Sequence, residues 1–282
     1  MAKQVILITG CSKGGIGYAL AKTFAQQGNH VIATTRNIDA LEGLEAYGCE
    51  KEALDINSQE SINAVTQKII DSVGQIDVLI NNAGAPAVGA LLDIDLDTAQ
   101  QCYNTNVFGT LKLIRAVAPH MAKKGKGKIV NVGSVVGYTS TPWAGIYASS
   151  KAAVHSMSDT LRLELKPFGI EVVVVAPGAI TSNFGNAGAK LVTVPEDSLY
   201  ISVAKFIIAR ATLSQGPGST PNEVFATHVV KRVLQPVSPR YITFGATSWI
   251  FLFLYYLPFF VKDFIFYKKF GLNLVKTNKK QD

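Results

Sequence analysis

One unit recurs along this chain: a short run of β-branched apolar residues, a turn, then a helical pattern. The runs are QVILIT at 4–9, HVIATT at 30–35, ALDI at 53–56, IDVLINNAG at 76–84, KIVNVGS at 128–134 and IEVVVVAPG at 170–178. Runs without polar alternation suit strands buried on both faces. Their alternation with helices predicts an α/β fold, a doubly wound parallel sheet. PRYITFG at 239–245, with Pro239 at its start, reads as a last edge strand. A single domain over residues 1–245 is therefore expected, which a chain of 282 residues accommodates.

The first unit carries the strongest chemical signal. TGCSKGGIG at 9–17 lies between a strand and the helical text YALAKTFAQQG. Glycines there permit a tight turn and let backbone approach a pyrophosphate at a helix N-terminus, where free N–H groups favour anions. Gly10, Lys13, Gly15, Ile16 and Gly17 are the candidate contacts. The second strand ends Thr35-Arg36, with no acid. A carboxylate there would hold a ribose 2′-OH, whereas a cation suits a 2′-phosphate. Arg36, with Lys13 as a second cation, therefore favours NADPH over NADH; the plainer alternative is a solvated loop charge. Asp55, and Asn82, Ala83 and Gly84 of NNAG, fall at strand carboxyl ends, where open parallel sheets bind ligands.

A second stretch, GIYASSKAAVHSM at 145–157, holds Tyr147 and Lys151. Four residues apart, they share one helix face. A lysine cation beside a phenol lowers its pKa from the ordinary value near ~10, making it a proton donor or acceptor for a carbonyl/alcohol pair. Such a pair is most often an ordinary surface pair, so its neighbours must decide. Ser134 ends a strand thirteen residues earlier, and Asn106 sits amid apolar residues in one long helical stretch, 98–121. Asp93, Asp95 and Asp97 lack the glycine and distal glutamate of a calcium loop and read as helix-start or solvated charges, so no metal is expected. Ser58 gives the helix at 58–74 a loose cap.

Taken together, TGCSKGGIG, Asp55, NNAG, Asn106, Ser134, the Tyr147–Lys151 pentad and PGAIT at 177–181 resemble the short-chain dehydrogenase/reductase family, over residues 4 to about 185. One departure exists: the family's TGxxxGxG carries one extra residue here, with Gly15-Ile16-Gly17 supplying the last two glycine places. The resemblance implies a Rossmann fold. It makes Tyr147 the general acid, with Lys151 tuning it and holding the nicotinamide ribose. Ser134 would bond the carbonyl oxygen and Asn106 would position a water. Pro177, Gly178, Ile180 and Thr181 would line the nicotinamide, Thr181 at the carboxamide, and Asn82 would lie along the cofactor. His155, four residues past Lys151, reads as an ordinary helix histidine.

Within the family, SKAAVHSMSDTLRLELKPFG and the apolar, lysine-rich tail resemble NADPH-dependent 1-acyldihydroxyacetone-phosphate reductases, a likeness that steroid and retinol reductases share in part. A lipid-like ketone is thus the expected substrate. A hydroxysteroid or retinal reductase is the alternative, and a non-catalytic cofactor-binding subunit of a membrane assembly is the reading from another class. Residues 182–220 form the expected substrate-covering insertion: a flexible GNAGAK, then an amphipathic helix in 197–213 with Arg210 opposite its apolar residues. Lys190, Lys205 and Arg210 are candidates to meet a phosphate. Thr220-Pro221-Asn222-Glu223 reads as a capping box opening the next helix.

The tail supplies the remaining expectations. WIFLFLYYLPFFV at 249–261 is short of the ~20 residues that span a bilayer, and Pro258 interrupts it. Of the formal net charge of +7, six lysines against two aspartates place +4 in residues 262–282. That asymmetry points to an anionic membrane surface and not to nucleic acid. Residues 246–282 are therefore read as a separable membrane-associated segment. Three widely spaced cysteines give no disulfide framework, and the first apolar run is of strand length, so an intracellular protein without a signal peptide is expected. The endoplasmic reticulum, lipid droplets or the mitochondrial outer membrane are the compartments the resemblance implies, and a homodimer or tetramer is compatible with it.

Overall fold

The computed structural model describes residues 3–189 and 192–276. The strands are β1 (Val5–Thr9), β2 (His30–Thr35), β3 (Glu50–Ala53), β4 (Val78–Asn81), β5 (Gly127–Val132), β6 (Ile170–Pro177), β7 (Ile180–Thr181), β8 (Thr220–Pro221) and β9 (Tyr241–Phe244). The helices are α1 (Ile16–Gln26), α2 (Gln59–Val73), α3 (Leu96–Tyr103), α4 (Thr110–Lys124), α5 (Gly145–Glu164), α6 (Phe184–Ala189), α7 (Ala204–Ala211), α8 (Asn222–Val233), α9 (Ser248–Tyr256) and α10 (Phe259–Lys269). Seven strands form one parallel sheet in the order β3-β2-β1-β4-β5-β6-β9. The order reverses between β1 and β4, which opens a crevice beyond their carboxyl ends.

The continuous apolar runs are explained by the two layers they separate. Ile6 and Ile8 point into one cluster with Leu20, Phe24, Phe225 and Val229, from α1 and α8. Val5 and Leu7 point into another with Ile62, Leu113 and Val117, from α2 and α4. Alternate side chains serve opposite faces, so every position must be apolar. A buried polar chain ties α5 to the sheet: Asn81 Nδ2 donates to Asn131 Oδ1 (2.8 Å), and Asn131 Nδ2 donates to Ser158 Oγ (2.9 Å).

Several boundaries differ from expectation. The third strand is Glu50–Ala53 and not 53–56. It is an edge strand pairing only with β2, so it tolerates charges and lacks an apolar signature. The stretch 98–121 is not one helix, because a π turn at Asn104–Gly109 separates α3 from α4. Asp95 and Ser58 do cap helices, accepting from Thr98 N (2.9 Å) and Ser61 N (3.1 Å). Thr220 does not cap α8: residues 220–221 pair with β7, and the Thr220 hydroxyl accepts from Ala246 N instead.

In the insertion, GNAGAK lies largely within α6, and Lys190 lies outside the described residues. Of 197–213 only Ala204–Ala211 is α-helical. Val203 and Ile207 of this segment are fully buried, in a third cluster with Trp143, Leu254, Phe266 and Phe270. The last three belong to α9, α10 and the residue after α10. The tail is thus packed against the insertion, and Trp143 Nε1 donates to Phe270 O (3.0 Å). No helix among the described residues is long and apolar enough to cross a membrane.

Candidate active site

The glycine loop has the form that the sequence predicted. Gly15 precedes α1 in extended backbone and supplies no side-chain cap, leaving the first N–H groups of α1 facing the crevice. Gly10 has φ +71°, and a Cβ there would come within 2.7 Å of Ala83 Cα. Gly17 packs so closely on Asn82 and the Gly10 carbonyl that no side chain fits. Gly14 is left-handed at φ +79°, and a Cβ there would come within 2.6 Å of Asn183 Nδ2. A cradle that any Cβ would fill, at a free helix N-terminus, fits a dinucleotide pyrophosphate.

Around it the structure redistributes some roles. Asn82 Nδ2 donates to Thr9 O (2.9 Å) and Gly10 O (3.0 Å), so its side chain braces the loop. Thr9 Oγ1 accepts from the N–H groups of Asn82 and Ala83, a bracing role that the sequence did not reveal. Gly84 packs beside Asn106 Oδ1 and Lys151 Nζ. Arg36 is exposed just past β2 and makes no ion pair among the described residues. Lys13 Nζ instead lies 3.5 Å from Glu42. Asp55 sits two residues beyond β3, its carboxylate accepting from Asn57 N (2.9 Å).

The catalytic candidates converge at the carboxyl ends of β4 and β5. Lys151 Nζ donates to Val132 O (2.8 Å) and lies 5.8 Å from the centre of the Tyr147 ring. Asn106, within the π turn, accepts from Ala85 N (2.7 Å) and donates to Ser150 Oγ (2.9 Å), so its amide is spent on the frame. Ser134 follows β5, and its N–H donates to His155 Nε2 (3.3 Å). His155 is therefore no ordinary helix histidine: burial lowers its pKa to about 4, and the neutral ring backs the Ser134 loop.

Protonation departs from the sequence expectation. Burial pushes the Tyr147 phenol up to about 12, with Ser134 and the Arg210 guanidinium pulling the other way. Burial also brings Lys151 down to about 8. Desolvation of the charged forms outweighs their neighbours, so the phenol is protonated at neutral pH. The expectation that Lys151 moves Tyr147 toward neutrality is not met. A protonated phenol is nevertheless the form that donates.

Beyond β6, Gly178 packs directly on the Ala246 carbonyl, and Ile180 is buried in the first cluster. Thr181, Ser182 and Asn183 face Gly14 across an open cleft of about 470 Å³. Asn183 Nδ2 donates to Lys13 O (2.8 Å) and Asn222 Nδ2 to Gly14 O (3.3 Å), joining both sides of the cleft. Neither contact has a local sequence signal. Phe184 of α6 lies over Tyr147, ring centres 5.6 Å apart.

Comparison with known proteins agrees with this geometry. The family model described as short chain dehydrogenase matches residues 4–190. A short-chain dehydrogenase of Penicillium ochrochloron is 35% identical over 275 residues, 97% of this chain and 100% of that protein. An NADPH-dependent 1-acyldihydroxyacetone phosphate reductase of Schizosaccharomyces pombe is 36% identical over 211 residues, 73% of this chain and 71% of that one. The crystal structure of a short-chain dehydrogenase from Streptomyces avermitilis superposes with a TM-score of 0.80 at 29% identity, covering 97% of this chain and 98% of that chain. With the glycine cradle at the sheet's switch point and Tyr147, Lys151 and Ser134 gathered beside it, this chain belongs to the short-chain dehydrogenase family.

Proposed function

We propose that this oxidoreductase uses NADPH to reduce the ketone of a lipid substrate, 1-acyldihydroxyacetone phosphate, to 1-acylglycerol 3-phosphate. The observation that carries the reading is a half-buried Tyr147 with Lys151 Nζ 5.8 Å from its ring, Ser134 beside its hydroxyl and Phe184 of α6 over it. When bound, the reduced nicotinamide supplies the hydride that reaches the carbonyl carbon. Tyr147 gives its phenolic proton to the carbonyl oxygen as negative charge develops there. Ser134 donates a hydrogen bond to the same oxygen, and Lys151 stabilises the phenolate left behind. The similarity to the Schizosaccharomyces reductase supports the substrate class. The test is NADPH oxidation against an acyl-dihydroxyacetone phosphate, a steroid ketone and retinal side by side. Turnover on the first alone is expected; turnover confined to either of the others overturns the lipid reading.

NADPH preference rests on Arg36 and the absence of an acid after β2. Arg36→Asp is expected to lower the NADPH-to-NADH efficiency ratio by about 10²-fold, since it removes a charge-assisted contact and adds like charge. An unchanged ratio would show that Arg36 does not meet the 2′-phosphate.

We also propose that the enzyme works at an anionic membrane surface. The face of α9 and α10 turned from the domain exposes Trp249, Phe253, Tyr256, Phe259, Phe260 and Phe264. Lys262 and Lys268 lie over the Phe259 and Phe264 rings. Exposed aromatic side chains beside lysines suit the interface, where each lysine adds about 1 kcal/mol. Full-length protein should sediment with phosphatidylserine-containing vesicles at low salt. The combined Phe253→Ser, Phe260→Ser and Lys268→Glu variant should remain in the supernatant. Wild-type protein that stays soluble beside such vesicles rules the surface out.

A further inference from the structure

The cover over the site carries one cation that the chemistry above does not use. Val203 and Ile207 anchor α7 in the third cluster with no exposure. Arg210 lies one turn beyond Ile207, on the same inward side and not opposite the apolar residues as the sequence suggested. Its Nε donates to Thr141 Oγ1 (3.2 Å), and Thr141 is itself buried, six residues before Tyr147. Arginine has five N–H donors. Among the described residues Thr141 is the one partner of Arg210, and no carboxylate pairs with it.

Arg210 is also near the proton donor. Its charge favours the Tyr147 phenolate, and Tyr147 in turn favours the charged guanidinium, while burial opposes it. Arg210 is half-buried, so holding a cation there without a counter-charge carries part of the cost of a buried one. A substrate bearing only a neutral ketone would leave that cost uncompensated. A ketone with an anion one methylene away would remove it and be oriented by it.

We infer that Arg210 recognises a phosphate monoester carried on the carbon next to the carbonyl that Tyr147 protonates. The inference rests on the lipid-ketone reading for the choice of phosphate. The planar guanidinium, steadied through Nε by Thr141, presents its two terminal nitrogens to two phosphate oxygens, the bidentate arrangement that favours arginine over lysine. Phosphate binding fixes where the carbonyl lies relative to Tyr147, so it selects substrate as well as binding it.

The experiment compares full-length wild type, Arg210→Gln and Arg210→Lys on a matched pair, a 1-acyldihydroxyacetone phosphate and the same acyl-dihydroxyacetone without phosphate, at saturating NADPH. Wild type should prefer the phosphorylated ketone by about 10²-fold or more in kcat/KM, because a buried polar site rejects an analogue lacking its partner. Arg210→Gln should bring that ratio to within about 5-fold of one, and Arg210→Lys should fall between. NADPH binding, followed by fluorescence, reports whether each variant is folded. A ratio unchanged in Arg210→Gln, or equal losses on both ketones, overturns the inference, since equal losses mean that Arg210 acts only on Tyr147.

A second arm does not depend on the substrate. Whichever ketone the wild type reduces, inorganic phosphate should raise its KM, and Arg210→Gln should abolish that effect. If acyl-dihydroxyacetone phosphate is not turned over but phosphate still competes through Arg210, the lipid-phosphate reading fails and the anion site stands. Wild-type insensitivity to phosphate overturns the site.

Discussion

Tyr147→Phe is expected to lower kcat by about 10²–10⁴-fold while leaving NADPH binding near its wild-type value. The substitution removes one oxygen and keeps the ring, which still packs 5.6 Å from Phe184. A phenol is protonated at pH 7 at its ordinary value, and burial raises this one to about 12, so it is in the donating form. Without it the developing alkoxide has Ser134 as a hydrogen-bond donor but no acid to complete the transfer. Single-turnover NADPH oxidation together with NADPH fluorescence separates chemistry from binding. Residual turnover within 10-fold of wild type would remove Tyr147 from the acid's role.

Deleting residues 246–282 is expected to unfold the segment around α7 and abolish turnover. The sequence reading of 246–282 as a separable membrane-associated segment suggested the opposite, a domain that stands without it. The structure changes the expectation because one face of the tail is core. Leu254, Phe266 and Phe270 are 5%, 8% and 5% exposed and share a cluster with Trp143, Val203 and Ile207. Truncating a large buried apolar side chain to alanine costs about 2–5 kcal/mol, and domain stabilities are about 5–15 kcal/mol, so losing all three is severe. The deletion also removes the Phe270 carbonyl that receives the Trp143 indole and the bridge between Ala179 and Ala246. Trp143 sits at φ +67°, a strained value for a bulky residue, four residues before Tyr147. Its surroundings are what hold it there. Soluble yield, thermal unfolding and kcat of the truncated chain check this. A monodisperse truncated protein with wild-type kcat would show that the tail is dispensable after all. The exposed face of α9 and α10 is a separate matter, tested by surface substitutions that leave the buried face alone.

How far the sequence reached can be followed residue by residue. Its apolar runs located five of the seven sheet strands, because a strand buried on both faces must be apolar throughout, and PRYITFG gave β9 as an edge strand. It missed the true place of β3, whose charges an edge position tolerates. The glycine loop was legible since Gly10, Gly15 and Gly17 answer local demands of turn and close approach. Tyr147, Lys151, Ser134 and Asn106 were legible because each occupies a fixed place on its element.

What the sequence determined by itself was therefore six of the seven sheet strands, the glycine loop before α1, and the helix that carries Tyr147 and Lys151 on one face. The tertiary structure decided the rest. Burial raises the Tyr147 phenol to about 12, against the pull of Ser134 and Arg210. Asn82 turns its amide toward Gly10, and His155 comes to rest behind Ser134. Arg210 meets Thr141 across 69 positions, and Phe270 meets Trp143 across 127. Backbone periodicity and glycine requirements act over a few residues and leave a mark in the local text. Desolvation and side-chain pairing depend on which distant segments pack together, and no short stretch of sequence carries that information.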